Sequence, residues 1–492
     1  MGLVVTPLPA RRRFSESTST PGRFQNLGGR ELVWRFDGGD ITSDGGAILL
    51  QKTERRTGII RRFAACFQDY RNPQRIEHGT CVPHPLLDLI AQRVYGLALG
   101  YEDLNDHDEL RTDPMLAIAL DKDDPTGKER RRALDRGKAL AGKSTLNRLE
   151  LTAPDYEGSP RQPGSRKPET RKIAVDPESI DALFVDLFLE AHAQAPEQII
   201  LDIDATDDPL HGNQEGRFYH GYYGDYCYLP LYVFCGEHLL CARLRMSNID
   251  ASADSVEELA PVMARIRQRW PAVQILLRGD AGFCRENLMA WCEREGIDYA
   301  FGLAQNARLK KRIAAEMEQA AQQYAETQKP ARVFQEFLYA TKETWSRERR
   351  VVAKAEHLDK GANPRFVVTS LSAEQAPMQE LYEKLYCARG EAENRVKEQQ
   401  LDLFADRTST GRMWSNQLRL YFSSVAYVLM QSLRRLGLAG TEMAHAQCGT
   451  IRGKLLKIGA QIRITVRKVW VSLAGGCPYA ALFARVCANL ES

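Results

Sequence analysis

The sequence has no apolar run approaching the length of about 18 residues that a membrane-crossing helix needs. Its 11 cysteines are scattered, with no CxxC pair and no zinc-site spacing. That argues against a disulfide scaffold or a structural zinc fold, and for a reduced, cytoplasmic chain. Residues 1–13 lack the apolar centre and small-residue cleavage site of a secretory leader. There is no internal repeat and no long low-complexity tract, which sets aside solenoids. Neither sign of charge dominates: 67 Lys and Arg stand against 64 Asp and Glu, a formal net charge of +3. What remains is ordinary, with 43% hydrophobic and 27% charged residues over 492 positions. This is the make-up of a globular protein of about two to four domains.

The charge is unevenly placed. Residues 127–148 hold eight Lys or Arg against two acids, and residues 443–490 hold seven Lys or Arg and no Asp or Glu. Local excess of this kind suits a polyanion such as nucleic acid, although ordinary solvated faces would read the same way.

Along the chain, residues 1–36 read as a basic flexible arm, Ser/Thr/Gly-rich in their second half. Residues 37–150 read as helical, with apolar spacings of three and four around 44–51 and 84–95. The Pro and Gly residues of 151–177 mark a linker. The period then changes. Strands are expected at 198–205, 226–234, 238–245, 273–280 and 299–303, with helices at 255–270 and 285–295. The order is β-β-β-α-β-α-β, an α/β core with a mixed sheet spanning 178–436. Within it, residues 304–376 read as a β-rich insertion: a polar helix at 313–328, then strands at 333–340, 349–355 and 365–371. A helix over 413–436 carries Leu418, Tyr421, Phe422, Val425, Leu429 and Leu433 at core-packing spacing. Residues 437–492 form a small basic C-terminal region.

The chemistry concentrates in three places. Read as one helix, Tyr386, Arg389, Glu393, Lys397 and Gln400 fall within roughly 80° of arc. Asp202 and Asp204 end the first strand on one face, and Asp280 ends the fourth. A lone strand-end acid is ordinarily a cap or turn residue. Three carboxylates that a packed sheet and helix can gather are an oxygen-only set, suited to Mg²⁺, with Mn²⁺ as a substitute. Two such ions support in-line phosphoryl displacement. Asp204 is favoured over Asp202 as a ligand because it lies nearer the strand end. Asp207 and Asp208 read as loop acids.

Asp204-Ala205-Thr206, Arg278-Gly279-Asp280-Ala281-Gly282-Phe283 and the Tyr386, Arg389, Glu393 spacing resemble the DDE transposases of bacterial insertion sequences. Residues 201–212 and 397–409, the Thr42-Ser43-Asp44-Gly45-Gly46 segment and residues 454–460 resemble the insertion-sequence 1380 family in particular. The resemblance covers nearly the whole chain. It implies a ribonuclease-H-like core with a β-rich insertion before the catalytic Glu. The implied activity is metal-dependent phosphodiester hydrolysis at element ends, then transfer of the freed 3′-hydroxyl into target DNA. Asp204, Asp280 and Glu393 would be the catalytic and metal-binding residues. Tyr386 and Arg389 would hold DNA-end phosphates, although packing and ion pairing on a helix surface would also account for them. The family signature places Lys seven residues after the Glu. Gln400 stands there instead, and Lys397 is the candidate replacement. Double-stranded DNA is the implied partner, as terminal inverted repeats and target, bound by the N-terminal helical region and the basic C-terminus of a homodimer. A bacterial cytoplasmic, nucleoid-associated location follows, without a membrane partner. The alternative is a catalytically inactive DNA-binding protein derived from a transposase.

Other signals are weaker. Gly137, Gly142, Lys143 and Ser144 satisfy the P-loop pattern, but a charged helix-like run precedes them where a buried strand is required. Residues 139–148 read better as the turn and second helix of a helix-turn-helix, with Ser144 as N-cap and Lys143, Asn147 and Arg148 facing DNA. Trp345, amid Lys342, Arg347, Arg349 and Arg350, suits either stacking on an extruded base or half-burial under Arg stems. His211 and His220 read as polar loop residues that could approach DNA. Arg278-Gly279-Asp280 matches an adhesion tripeptide but sits at an expected buried strand end, which excludes that role.

Overall fold

The computed structural model describes residues 22–23, 30–71, 84–130, 132–154 and 173–491. The arm expected over 1–36 and the linker expected over 151–177 lie largely outside the described residues. Helices α1 (Ala47–Thr57), α2 (Ile59–Ala65), α3 (Leu86–Ala98) and α4 (Lys143–Glu150) occupy the N-terminal region. Helix α5 (Pro177–Glu190) opens the central part, with Asp176 capping the Glu178 and Ser179 amides and Pro177 in its first turn.

There follow β1 (Gln198–Ala205), β2 (Leu231–Cys235), β3 (His238–Arg243), α6 (Ser255–Arg269), β4 (Gln274–Gly279), α7 (Glu286–Glu295) and β5 (Asp298–Leu303). Then come α8 (Ala314–Thr327), β6 (Ala331–Tyr339), β7 (Arg349–Leu358) and β8 (Arg365–Thr369). These strands form one mixed sheet in the order β3-β2-β1-β4-β5-β8-β7-β6, with a two-residue strand, Gly361–Ala362, beside β7. The pairs β1–β4 and β4–β5 are parallel, and the rest are antiparallel. The β-rich insertion is therefore an extension of the central sheet, joined to it along β5.

Period-two alternation decides which faces are covered. Ile199, Leu201 and Ile203 of β1, with Ile275 and Leu277 of β4, pack into the core cluster that α6 and α7 share. On the other face, Ile200 and Leu276 pack under Leu381 and Tyr382 of a helical stretch. That stretch includes α9 (Gly390–Lys397). Helix α10 (Met413–Gly437) is buried over nearly its whole length and is the spine of a second core. One expected strand is two. Residues 226–234 divide into Asp225–Tyr228, in a small separate sheet, and β2. Pro230 lies at the break, where it cannot donate to a ladder.

Two segments at opposite ends of the chain close on each other. The Gly45 and Gly46 amides donate to the Ile458 and Leu456 carbonyls at 2.9 and 3.1 Å. Buried Asp44 accepts from Tyr101 Oη at 2.6 Å and pairs with Lys457 Nζ at 2.7 Å. Strand Asp40–Thr42 extends the C-terminal hairpin Ala460–Ile464 and Val469–Leu473. A Cβ on Gly46 would stand 1.9 Å from the Leu455 carbonyl oxygen, whereas one on Gly453 would meet open space. Gly46→Ala is expected to destabilise the protein by at least about 2 kcal/mol. Gly453→Ala should be neutral or stabilising by up to about 1 kcal/mol. Thermal melts of the two variants check both.

Candidate functional site

The register of β1 and β4 builds the site. Asp202 pairs across with Arg278. Two residues further on stand Asp204 and, just past the end of β4, Asp280, whose charge acts on Asp204. Asp202 and Arg278 also form a buried bidentate ion pair, with Arg278 Nε and Nη2 each 2.7 Å from a carboxylate oxygen. Arg278 Nη1 donates to the Leu385 carbonyl at 2.6 Å, which anchors the helical stretch over this face. Asp202 is thus held in a close bidentate pair, whereas Asp204 has the looser 3.7 Å pairing with Arg389.

That helical stretch is not one α-helix. Residues Leu381–Tyr386 and Glu398–Asp402 are π-wound, Cys387–Arg389 is a 3₁₀ turn, and only α9 between them is regular. The expected 80° arc therefore does not hold along its length. The 3₁₀ turn stacks Tyr386 over Arg389, three residues apart, and the α turn keeps Arg389, Glu393 and Lys397 on one face. The second π segment turns Gln400 away. Its amide donates to Asp208 Oδ1 at 2.9 Å and to the Asp207 carbonyl at 3.2 Å. Lys397 is exposed.

Two of the carboxylates, Glu393 and Asp204, pair with Arg389. Its Nη2 lies 2.6 Å from Glu393 and its Nη1 3.7 Å from Asp204. Asp204 also accepts from the Ala205 amide at 3.0 Å, and Asp280 from Gly282 at 2.8 Å. Burial, and then the charges of Asp280 and Glu393, push the Asp204 carboxyl up to about 7 against the pull of Arg389. Tyr386 reaches the same place because Gly302 has no side chain: a Cβ there would stand 2.5 Å from Tyr386 Oη. As the side chains stand, no group of three or more His, Cys, Asp or Glu among the described residues could hold a metal ion. The donor chemistry still fits a divalent cation. Asp204 feels the charges of both Asp280 and Glu393, Arg389 pairs with Asp204 and Glu393, and the half-buried Asp204 resists ionising.

Two supports carried no local signal in the sequence. Glu398, fully buried behind α9, accepts from Arg395 at 2.8 Å, Arg434 at 3.1 Å and the Cys448 amide at 2.6 Å. The other is the Gly302–Tyr386 contact. Both depend on partners distant in the chain.

The remaining candidates lie apart. Lys143, Asn147 and Arg148 are exposed on α4. Its N-cap is Gly142 rather than Ser144, and Lys143 Nζ bonds Asn105 at 3.0 Å. Before the turn stands the 3₁₀ segment Ala133–Asp135, neither the strand of a P-loop nor a full first helix. Trp345 is half-buried, edge-on to Tyr339 with Arg349 over its ring at 5.5 Å. Its loop rests on the first turn of α7, through Ser346 to Glu286, just beyond the Asp280 turn. His211 is exposed, and His220 lies in a β-hairpin after Asp204. No helix among the described residues is long and apolar enough to cross a membrane.

Two outcomes follow from these charges. Arg278→Met alone should destabilise the protein by about 3–5 kcal/mol, because it strands a buried carboxylate; Asp202→Leu with Arg278→Met should recover most of that. Denaturant melts of the single and double variants decide. Without divalent metal, folded Asp204 keeps its proton up to about pH 7. The unfolded chain releases it near 4. The folded state then binds the extra proton between those values, so stability falls as pH rises through that window. Asp204→Asn should remove this slope. Its stability in EDTA should gain on the wild type between pH 5 and pH 8, by an upper bound of about 3 kcal/mol.

Comparison with known proteins supplies a name for the whole. No curated protein sequence matches the chain. Among solved structures it is similar to the piggyBac transposase synaptic complex with hairpin DNA, determined by cryo-EM. The identity is 11% and the TM-score 0.40, covering 91% of this chain and 82% of that one. A likeness so loose does not extend to residues or chemistry. The family model for the transposase DDE domain, group 1, matches residues 24–492, and the chain belongs to that family.

Proposed function

We propose that the chain is a DNA transposase that hydrolyses a phosphodiester at the ends of its element and transfers the freed 3′-hydroxyl into target DNA. The observation that carries this reading is that Asp204 feels the charges of Asp280 and Glu393 while Arg389 pairs with Asp204 and Glu393. The strand order β3-β2-β1-β4-β5, with β1, β4 and β5 parallel, supports a ribonuclease-H-like core. The three carboxylates would hold Mg²⁺, or Mn²⁺ in its place, which supplies activation of the attacking oxygen and stabilisation of the leaving one.

The side chains do the rest. Water attacks phosphorus in line and the bond to the 3′-oxygen breaks. The 3′-hydroxyl so formed attacks a phosphodiester of the target, displacing another 3′-oxygen. Arg389 exchanges its carboxylate partners for phosphate oxygens, which its planar fork suits. Tyr386 and Lys397 flank it. Lys143, Asn147 and Arg148 offer an exposed polar face to the duplex, and the loop of Trp345 rests, through Ser346, on the helix that follows Asp280. The N-terminal helical region and the basic C-terminus hold the terminal inverted repeats, two ends being bridged by a homodimer. Membership of the insertion-sequence 1380 family, and a place beside the bacterial nucleoid in the cytoplasm, complete the reading.

Asp280→Asn and Glu393→Gln should each lower Mg²⁺-dependent cleavage of an element-end duplex by more than about a hundredfold. Binding of the same duplex in EDTA should stay within about twofold. Undiminished cleavage by Asp280→Asn would sink the catalytic assignment.

A further inference from the structure

Between Asp204 and β2 the chain makes an excursion that the proposed chemistry does not use. Phe218–His220 and Asp225–Tyr228 pair as an antiparallel ribbon, with Tyr219 opposite Tyr226. Alternation places Arg217, Tyr219 and Tyr226 on one face. There the two tyrosines meet edge to face at 5.6 Å, and the Arg217 guanidinium lies 3.8 Å from the Tyr226 ring centre. The turn is Gly221-Tyr222-Tyr223-Gly224. Tyr222 at its tip is 86% exposed, Tyr219 59% and Tyr226 40%. The ribbon thus exposes the paired Tyr219 and Tyr226 rings and, at its tip, Tyr222, an aromatic surface of the kind that marks a binding site.

The position of the turn says what that use is. Tyr223 Oη donates to the carbonyl of Ala205, the residue after Asp204, at 3.4 Å. Burial, and then the charges of Asp207 and Asp204, push its phenol above the ordinary value. The ring of Tyr222 stands edge-on to Tyr223 at 5.0 Å, and His220 tilts against Tyr223 at 4.9 Å. One ring of the turn thus touches the carboxylate strand, and the next presents itself to solvent. A nucleotide whose phosphate sits at Asp204 lies beside the turn that Tyr223 ties to Ala205.

We propose that the hairpin formed by residues 217–228 is a stacking platform for an unpaired nucleobase next to the scissile phosphate, with Tyr222 and Tyr219 as the stacking rings. The inference rests on the proposed function, since the phosphate must lie at the carboxylates. Duplex DNA would have to open there, and a base without a stacking partner gains most from an aromatic face. The single-stranded side of a junction is therefore the occupant that the hairpin recognises. Arg217 adds a cation beside the rings for the neighbouring phosphate.

The full chain in EDTA is titrated with a labelled blunt duplex and with a fork of the same duplex carrying unpaired thymidine arms. The wild type should favour the fork. Tyr219→Ala with Tyr222→Ala should lose that preference by about 5- to 150-fold while binding the blunt duplex unchanged. Both rings are exposed, so the variant keeps its fold, and circular dichroism verifies this. Tyr222→Phe should retain the preference, which separates ring stacking from a hydroxyl contact. Equal affinity of the wild type for fork and duplex overturns the inference and leaves the transposase reading standing. So does a double variant whose preference persists, or one that loses only self-association. A wild type that binds neither DNA overturns both.

Discussion

One buried guanidinium holds the centre of this molecule together. Arg278 joins β4 to β1 through Asp202 and joins both to the helical stretch above them through the Leu385 carbonyl. Taking two charges out of water is unfavourable, and apolar replacements of such pairs are often no less stable. The pair is better understood through register. A one-residue slip between β1 and β4 would turn Asp204 or Asp280 to the wrong face. It would also separate Asp202 from Arg278 and leave two buried charges bare. The penalty for misalignment therefore falls on the residues that lie two positions before the candidate site.

Beyond that pair the site stores repulsion. Asp204 sits in a partly buried place where the charges of Asp280 and Glu393 act on it, offset by Arg389 and the Ala205 amide. The backbone absorbs part of the resulting constraint. The helical stretch changes winding on either side of Glu393, and π segments of this kind concentrate where a helix must re-aim its side chains. Behind it, Glu398 takes hydrogen bonds from two arginines and a backbone amide. The front of α9 can then exchange partners while its back stays fixed.

Much of this was legible in the sequence, and for identifiable reasons. Odd-numbered apolar residues of β1 and β4 announce a covered face, and their terminal acids announce an open edge. The stripe from Leu418 to Leu433 is a helix in any packing. The insertion strands read correctly because each is a β-rich run set off by turns. Other features needed partners that no local pattern reveals. Asp202 and Asp204 share a face by alternation; nearness to the strand end favours Asp204, and the ion pair with Arg278 is what occupies Asp202. Gln400 looked like a vacant cation position, yet it faces the buried Asp208 once the helix winds to π. The Thr42–Gly46 and 454–460 segments read as family signatures without a role; they form the clasp between the two ends of the chain.

That clasp places both terminal regions in one core with α10, and α10 has a further consequence. Near its start, Arg419 reaches Glu150 at the end of α4, which also pairs with Arg93 of α3. Near its end, Arg434 reaches Glu398 behind α9. The two arginines are 15 residues apart in the sequence, which on an α-helix is about 22 Å. The exposed polar face of α4 and the carboxylate face of α9 are thus both fastened, through buried charge pairs, to a single rigid rod. A duplex contacted by α4 and cut beside Glu393 would be measured by that rod. The spacing between a bound sequence and a cleaved phosphate would then be a property of α10 rather than of any loop.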